Sequence, residues 1–301
     1  MHALSNKVAL VTGSSRGIGR AIAQRFAAEG ATVVVTARSL HGKAHTRAGE
    51  QVTIEGTLAE TVALIEDAGG RAFPIVADLE RAEDREGLIE RVIAEFGRID
   101  ILVNNAGFSD YAMIENLSTE TFDRTIDHYL RSPVVLTQKA IPHMRAQGAG
   151  WIVNIGSSTG MPPVRPYRDY NRTAGEVLYA SVKAALHRFT EGVAAELESD
   201  NIAVNVVAPS TAIMTPGAAA LIPDTMDTEP VEYLVQTVLE MCTVPAAERT
   251  GRIAFSMHYP YSQNVPVMSL DGTEELPRRA PFDWANPNIV PSGLQTPEER
   301  V

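Results

Sequence analysis

The 301-residue chain reads as a doubly wound α/β protein, a parallel sheet with helices on both faces. Three observations predict this. Short apolar runs alternate regularly with stretches of helical spacing. Most of those runs are continuous rather than alternating, as in strands covered on both faces. The helical stretches carry start and stop signals.

Taken in order, strands are predicted at Val8 to Val11, Thr32 to Thr36, Ala72 to Val76, Ile101 to Val103, Trp151 to Ile155, Ala203 to Val207 and Ile253 to Phe255. Helical spacing runs through Gly17 to Ala28, Leu58 to Ala68, Glu83 to Phe96, Thr119 to Ala146, Tyr179 to Ser199 and Pro230 to Met241. Thr57-Leu58-Ala59-Glu60 forms a capping box, and Gly69-Gly70 closes the same helix. Regular β-α alternation implies right-handed crossovers.

Three segments break the rhythm. Ser39 to Gly56 reads as a long polar loop, and Met161 to Val177 as a Pro- and Arg-rich loop. Gly272 to Val301 holds many prolines and little periodicity. The expected organisation is one domain over 1–271, then an arm over 272–301 lying on the surface or on a neighbouring subunit. No internal repeat or low-complexity tract is present.

Hydrophobic residues are 45% and charged residues 21%, an ordinary globular balance. The net charge of -11 argues against nucleic acid and against an anionic membrane surface, both of which recruit clustered Lys and Arg. Cys242 is the one cysteine, which excludes an internal disulfide and fits a reducing, cytoplasmic setting. Met1 to Lys7 has no secretory pattern, and no apolar run nears the roughly 20 residues that span a bilayer.

Gly13-Ser14-Ser15-Arg16-Gly17-Ile18-Gly19 follows the first strand and opens the first helix. Glycines permit a tight turn and close approach of backbone to a pyrophosphate. The helix N-terminus adds free N–H groups and a positive dipole end. The strand-turn-helix context makes a dinucleotide site the preferred reading over an ordinary turn.

The three-residue gap between Gly13 and Gly17 is where this sequence comes to resemble the short-chain dehydrogenases/reductases. The resemblance continues in Asp78-Leu79, in Asn104-Asn105-Ala106-Gly107, and in Tyr179-Ala180-Ser181-Val182-Lys183. It ends in Pro209 to Thr215, so motifs in register span about Val8 to Thr215. It implies a Rossmann-type, seven-stranded parallel sheet. The cofactor residues it implies are Gly13, Ser15, Arg16, Gly17, Ile18, Gly19 and Arg38; Asp78, Leu79, Asn105, Ala106 and Gly107; and Tyr179, Lys183, Pro209, Ile213 and Thr215. The long loop ending in Gly56-Thr57-Leu58, with Thr211-Ala212-Ile213, is similar to a branch of hydroxysteroid-dehydrogenase-like proteins.

NAD-specific members carry an acid after the second strand, whereas this chain reads Val35-Thr36-Ala37-Arg38-Ser39. Arg38 and Arg16 suit a 2′-phosphate, because guanidinium forks match phosphate oxygens. NADP(H) is therefore expected ahead of NAD. His41, Lys43, His45 and Arg47 are read as an exposed loop, with no metal site.

Tyr179 and Lys183 are four apart on a predicted helix and share a face. Tyrosine ordinarily titrates near pH 10. A cation at about 4 Å, in an effective dielectric of about 20, attracts the phenolate by about 4 kcal/mol. The resemblance makes Tyr179 the general acid/base and gives Lys183 the nicotinamide ribose. Ser157, three residues before Gly160, becomes the residue that binds the substrate oxygen, ahead of its neighbour Ser158.

The sequence departs from the family pattern in three places. Tyr129 stands where many members have an Asn that holds a relay water, with His128 beside it as a substitute relay. Tyrosine cannot copy an amide's donor-acceptor pair. The 161–177 loop is longer than usual and carries Arg165, Tyr167, Arg168, Tyr170 and Arg172, suiting either a lid that attracts an anion or an oligomer contact. Pro209-Ser210 replaces Pro-Gly.

Apolar side chains in Ile213 to Met226 suggest a hydrophobic alcohol or ketone. The expected function is an NADP(H)-dependent alcohol/ketone oxidoreductase that is a homodimer or homotetramer. The alternatives are a cofactor-binding protein with little turnover, and a lyase or isomerase on the same fold.

Overall fold

The structure, a computed structural model, describes residues 2–294 except 43, 44, 48, 49, 53, 109, 220, 221 and 223–225. For 45–47 and 50–52 it describes the backbone alone. The chain opens with β1 (Val8–Thr12), α1 (Gly17–Ala28) and β2 (Thr32–Ala37). The excursion after β2 is not wholly loop, as its sequence suggests. It holds an antiparallel hairpin, β3 (His45–Arg47) with β4 (Glu50–Val52). Three-residue strands show no readable period, yet pairing them satisfies backbone groups that a bare loop leaves to water.

The predicted capping box starts α2 (Leu58–Asp67): Glu60 N–H donates to Thr57 Oγ1 at 3.1 Å and Thr57 N–H to Glu60 Oε2 at 3.2 Å. Next come β5 (Arg71–Val76), α3 (Ala82–Phe96) and β6 (Ile101–Asn104). The single helix predicted over Thr119 to Ala146 is helical throughout but carries a π insertion. α4 (Thr119–Ile126) and α5 (Ser132–Gln147) flank a π-helical turn, Asp127–Arg131. Such bulges often mark functional sites, and here the turn buries both His128 and Tyr129. Hydrophobic spacing cannot reveal this, because the chain stays helical throughout.

The chain continues through β7 (Gly150–Ile155), a short α6 (Asp169–Thr173), α7 (Val177–Leu197) and β8 (Ile202–Ala208). It ends with α8 (Val231–Glu240), β9 (Ile253–Phe255) and α9 (His258–Gln263). The parallel sheet has seven strands in the order β5-β2-β1-β6-β7-β8-β9. The order reverses between β1 and β6, which opens a crevice at their C-terminal ends.

Alternate strand residues feed two cores. Ala9, Val11, Val33 and Val35 meet Ile22 and Phe26 of α1 and Leu234 and Val238 of α8. Leu10, Val34, Leu102 and Ile152 meet Leu88 and Val92 of α3 and Leu136 and Met144 of α5. Each fully buried side chain of this size contributes about 1.5–3 kcal/mol.

The two sheet edges differ. β5 is exposed at Arg71, Phe73, Pro74 and Val76, and an edge strand tolerates the proline. β9 is covered by the C-terminal arm, where Ile253 N–H donates to Gly293 O at 2.7 Å. Gly293 has φ 72° and a Cβ there would lie 3.0 Å from Ala254 Cα, so only glycine lets the arm approach so closely. Leu276 and Phe282 pack on Tyr233, Met257 and Val267, and Ile289 packs on Phe255. The described part of the arm therefore lies on its own body. No helix among the described residues is long and apolar enough to cross a membrane.

Candidate active site

The loops after β1, β6, β7 and β8 line a cleft of about 1140 Å³. Its floor is built from Thr12 outward. Thr12 Oγ1 donates to Val103 O at 3.1 Å and accepts from the N–H groups of Asn105 and Ala106, both at 2.9 Å. Asn105 Nδ2 returns to Thr12 O at 2.8 Å and Gly13 O at 3.1 Å. One threonine and one asparagine thus lock the glycine loop to the Asn104–Gly107 turn.

The glycines are set by space. A Cβ on Gly13 would sit 2.7 Å from Ala106 Cα, and one on Gly19 would sit 2.4 Å from both Gly13 O and Asn105 Nδ2. On Gly17, at φ 54°, it would press on Thr215 at 3.3 Å. No side chain caps the start of α1, which leaves its N–H groups for an anion. Gly13, Arg16, Gly17, Ile18, Gly19, Asn105, Gly107, Pro209, Ile213 and Thr215 all line the cleft. A cradle lined by glycine and open backbone donors fits a dinucleotide.

A smaller cavity of about 130 Å³ adjoins it, lined by Ser15, Arg16, Arg38, Leu79, Ala106 and His128 among others. Arg16 donates to Gly56 O at 2.6 Å, and the positive fields of Arg20 and Arg38, with burial the larger cause, hold its pKa down. Sequence reading missed an acid here. Glu80 accepts from His128 Nε2 at 2.9 Å and pairs with Arg124 at 3.6 Å and Arg38 at 3.8 Å. The His128 hydrogen bond, opposed by burial and aided by the Arg124 and Arg38 charges, holds Glu80 down at about 2. His128 is thereby committed to Glu80 and lines only the smaller cavity, which corrects its reading as a substitute relay. Asp78 departs from expectation too. It lines neither cavity, and its carboxylate accepts from Glu80 N–H at 3.1 Å to shape the turn.

Ser157, Tyr179 and Lys183 line the same cleft. Ser157 lies two residues beyond the end of β7, its Oγ 2.9 Å from Thr159 Oγ1, and its N–H donates to His187 Nε2 at 3.4 Å. Lys183 is buried and donates to Ile155 O at 2.7 Å. Its Nζ lies 4.2 Å from the Tyr129 ring centroid and 5.6 Å from that of Tyr179. Burial pulls the Lys183 ammonium down to about 7 and, with the Lys183 charge, the His187 imidazole down to about 3. His187 is therefore neutral at pH 7 and accepts at Nε2. It is invisible to motif reading, because a histidine on a buried helix face is usually structural.

Tyr129 packs edge-on against Tyr179, ring centroids 5.1 Å apart. A Cβ on Gly107 would lie 2.2 Å from Tyr129 Cε1, so the glycine of the Asn104–Gly107 turn is what admits this ring.

The roof comes from parts that sequence reading placed apart. The 161–177 segment and the arm meet over the cleft: Asn286 Nδ2 donates to Pro162 O at 3.0 Å and Arg168 Nη1 to Trp284 O. Arg165 stacks on Tyr167 and Arg172 pairs with Asp169, while Arg168 lines the cleft. Tyr170, named with that loop, lines it too, as do Glu176 and Trp284, which carried no sequence signal. Ile213, Ile222 and Met226 form an apolar wall, as their run suggested. Ala220, Leu221 and Pro223 of that run, with Lys43 and the side chains of His45 and Arg47, lie outside the described residues.

Residues 7–225 match the family described as short chain dehydrogenase. An uncharacterized oxidoreductase of Thermotoga maritima is 37% identical over 205 residues, 68% of this chain and 71% of its own length. A 3-oxoacyl-acyl-carrier-protein reductase of Synechocystis is 35% identical over 209 residues, 69% of this chain and 75% of its own length. The crystal structure of such a reductase from Agrobacterium tumefaciens, with NADP bound, has a TM-score of 0.68 at 29% identity, covering 82% of this chain and 92% of that one. The family match ends before α8, so β9 and the arm lie beyond it.

Proposed function

The chain belongs to the short-chain dehydrogenase/reductase family of nicotinamide-dependent oxidoreductases, and from that premise we propose that it interconverts a hydrophobic alcohol and its ketone or aldehyde with NADP(H). The observation that carries this reading is the meeting of Ser157, Tyr179 and Lys183 in one cleft with the glycine loop.

A nicotinamide held in the cradle would supply or accept the hydride. In reduction the Tyr179 hydroxyl gives its proton to the substrate oxygen; in oxidation the phenolate takes it back. Ser157 Oγ donates to the same oxygen and orients it. Its backbone is steadied by the bond from its N–H to His187. Lys183, held against Ile155 O, puts a positive charge beside the phenol and favours the phenolate. The nicotinamide ribose hydroxyls of a bound cofactor would accept from Lys183 Nζ and favour its charged form. Gly13, Ser15, Arg16, Gly17, Ile18 and Gly19 would hold the pyrophosphate; Leu79, Asn105, Ala106 and Gly107 would line the adenosine side; Pro209, Ile213 and Thr215 would cover the nicotinamide.

The preference for NADP(H) rests on charge. Arg16 and Arg38 face the end of β2, where NAD-specific members keep an acid, and each offers fork donors to a 2′-phosphate. We further propose a homo-oligomer that packs through the helices around Tyr129 and Tyr179.

The test is titration of NADPH and NADH separately into the wild type and Arg38→Asp. NADPH binding that is tight in the wild type and lost in Arg38→Asp supports the assignment. Tight NADH binding untouched by the change overturns the NADP preference. A carbonyl screen then follows, with Tyr179→Phe as the blank. The second reading, a binding protein with little turnover, is favoured by Tyr129 in the relay position and predicts cofactor binding without oxidation of any carbonyl set.

A further inference from the structure

Glu176 sits at the N-terminal end of α7, three residues before Tyr179. An acid there is usually explained by the helix dipole or by capping. The side chain of Glu176 makes no capping bond. It is 8% exposed and lines the cleft that holds Ser157, Tyr179 and Lys183. Its two oxygens differ. Asn171 Nδ2 donates to Oε1 at 3.3 Å and the Tyr170 hydroxyl approaches the same carboxyl group, while Oε2 is buried with no donor in hydrogen-bonding geometry among the described residues.

The fold forces this placement. Gly175 has φ 69°, and a Cβ there would lie 2.6 Å from the Ala112 carbonyl carbon. Ala112 N–H donates to Gly175 O at 3.1 Å. The chain is pinned at Gly175, turns, and must present the next side chain to the cleft. Tyr170 and Asn171 of α6 flank that side chain, so the added loop builds the surroundings of Glu176.

A buried carboxylate oxygen with no donor costs stability, and such groups are rare unless a ligand completes them. The rest of the wall is mixed. Ile213, Ile222 and Val164 are apolar, whereas Arg124, Arg168 and Lys183 already bring positive charge to the cleft. A cationic ligand would meet like charge there, and a wholly apolar one would leave Oε2 unpaired. A neutral hydroxyl satisfies both conditions.

We propose that Glu176 is a specificity residue whose Oε2 accepts a hydrogen bond from a second hydroxyl on the substrate, set apart from the carbonyl that Tyr179 and Ser157 handle. The substrate class is then a hydroxylated, otherwise apolar ketone or aldehyde. This rests on the oxidoreductase reading above and sharpens it.

The test uses methyl ketones and their ω-hydroxy and ω-amino counterparts as a ladder of chain lengths, with wild type, Glu176→Leu and Glu176→Gln. Two readouts are taken on the NADPH complex: kcat/KM, and quenching of the fluorescence of Trp284, which lines the same cleft. At one chain length the wild type should favour the hydroxy ketone over the plain one by about 10-fold or more, the range of a bond to a charged acceptor. That ratio should fall towards one in Glu176→Leu. Glu176→Gln keeps the shape and the Asn171 contact, guards against misfolding, and should shrink the ratio as well. An equal ratio in all three proteins overturns the proposal while turnover of both ketones keeps the redox reading. A larger gain from the amino ketone overturns the hydroxyl assignment. Hydroxyl-dependent quenching lost in Glu176→Leu, without turnover of any ketone, upholds the subsite and refutes the redox reading.

Discussion

The floor and the roof of the cleft are built on different terms. The floor comes from strand ends and two helix starts. Its polar groups are buried and paired: Thr12 with Asn105, Asn104 with Asn154, Lys183 with Ile155 O. The roof comes from the 161–177 segment and the arm. Several of its side chains stand in solvent, Tyr167 at 41% exposed and Tyr170 at 43%, and its ties are mostly side chain to backbone, as at Asn286 and Pro162. A rigid floor suits proton and hydride transfer, where misplacement by an ångström is costly. A loosely anchored roof suits selectivity, which tolerates movement.

That contrast can be broken from the floor first. Tyr179→Phe removes the proton donor and should lower kcat by about 100- to 10,000-fold. NADPH affinity by calorimetry should change little, since the ring and its packing on Tyr129 remain. Retention of most activity would move the proton to another group and end the assignment.

Arg38→Asp tests the outer end of the floor. NADPH binding should weaken by about 10- to 100-fold as a fork donor becomes a repelling charge. NADH binding should fall far less, so the ratio of the two dissociation constants reports the 2′-phosphate contact.

Glu80 measures how tightly that end is tied down. Its carboxyl is held at about 2, below the usual value of 4.5, so it stabilises the fold above pH 4.5 and loses that contribution as pH falls towards 2. Glu80→Gln should cost about 1–2 kcal/mol at pH 7, after discounting for its partial exposure. The difference from wild type in urea midpoint should close between pH 4.5 and 2. A constant gap across that window would show packing, rather than charge, to be the cause.

The smallest effect belongs to the roof. Trp284→Ala should raise KM for apolar ketones a few-fold while kcat changes less, because the group touches the cleft and not the transferring atoms. A fall in kcat matching Tyr179→Phe would place the arm in the chemistry and erase the distinction between floor and roof.

Much of the floor was legible because its signals are local. The glycine loop, the Asn104–Gly107 turn and the Tyr179–Lys183 pair each lie within a few residues. Seven strands could be placed because runs buried on both faces are continuously apolar. The π turn was not legible, since a helix with one added residue keeps its composition. Nor was the β3–β4 hairpin, whose strands are too short for a period. Glu80 was passed over because its three partners are 42, 44 and 48 positions away in the chain.

The sequence by itself determined the fold class and the order of the main strands and helices, and its resemblance to the family pointed to the cofactor cradle and to the serine, tyrosine and lysine of the proposed chemistry. The glycine loop and the Tyr179–Lys183 pair depend on spacing within one turn or one helix face, which local geometry translates directly into position. Only the tertiary structure decided that Tyr129 fits because Gly107 has no Cβ, that Glu80 binds His128, and that Trp284 closes over a cleft begun at Gly13. It also decided that Glu176 keeps an unpaired oxygen there. Such facts depend on which distant surfaces meet, and that is settled by packing the whole chain around one sheet.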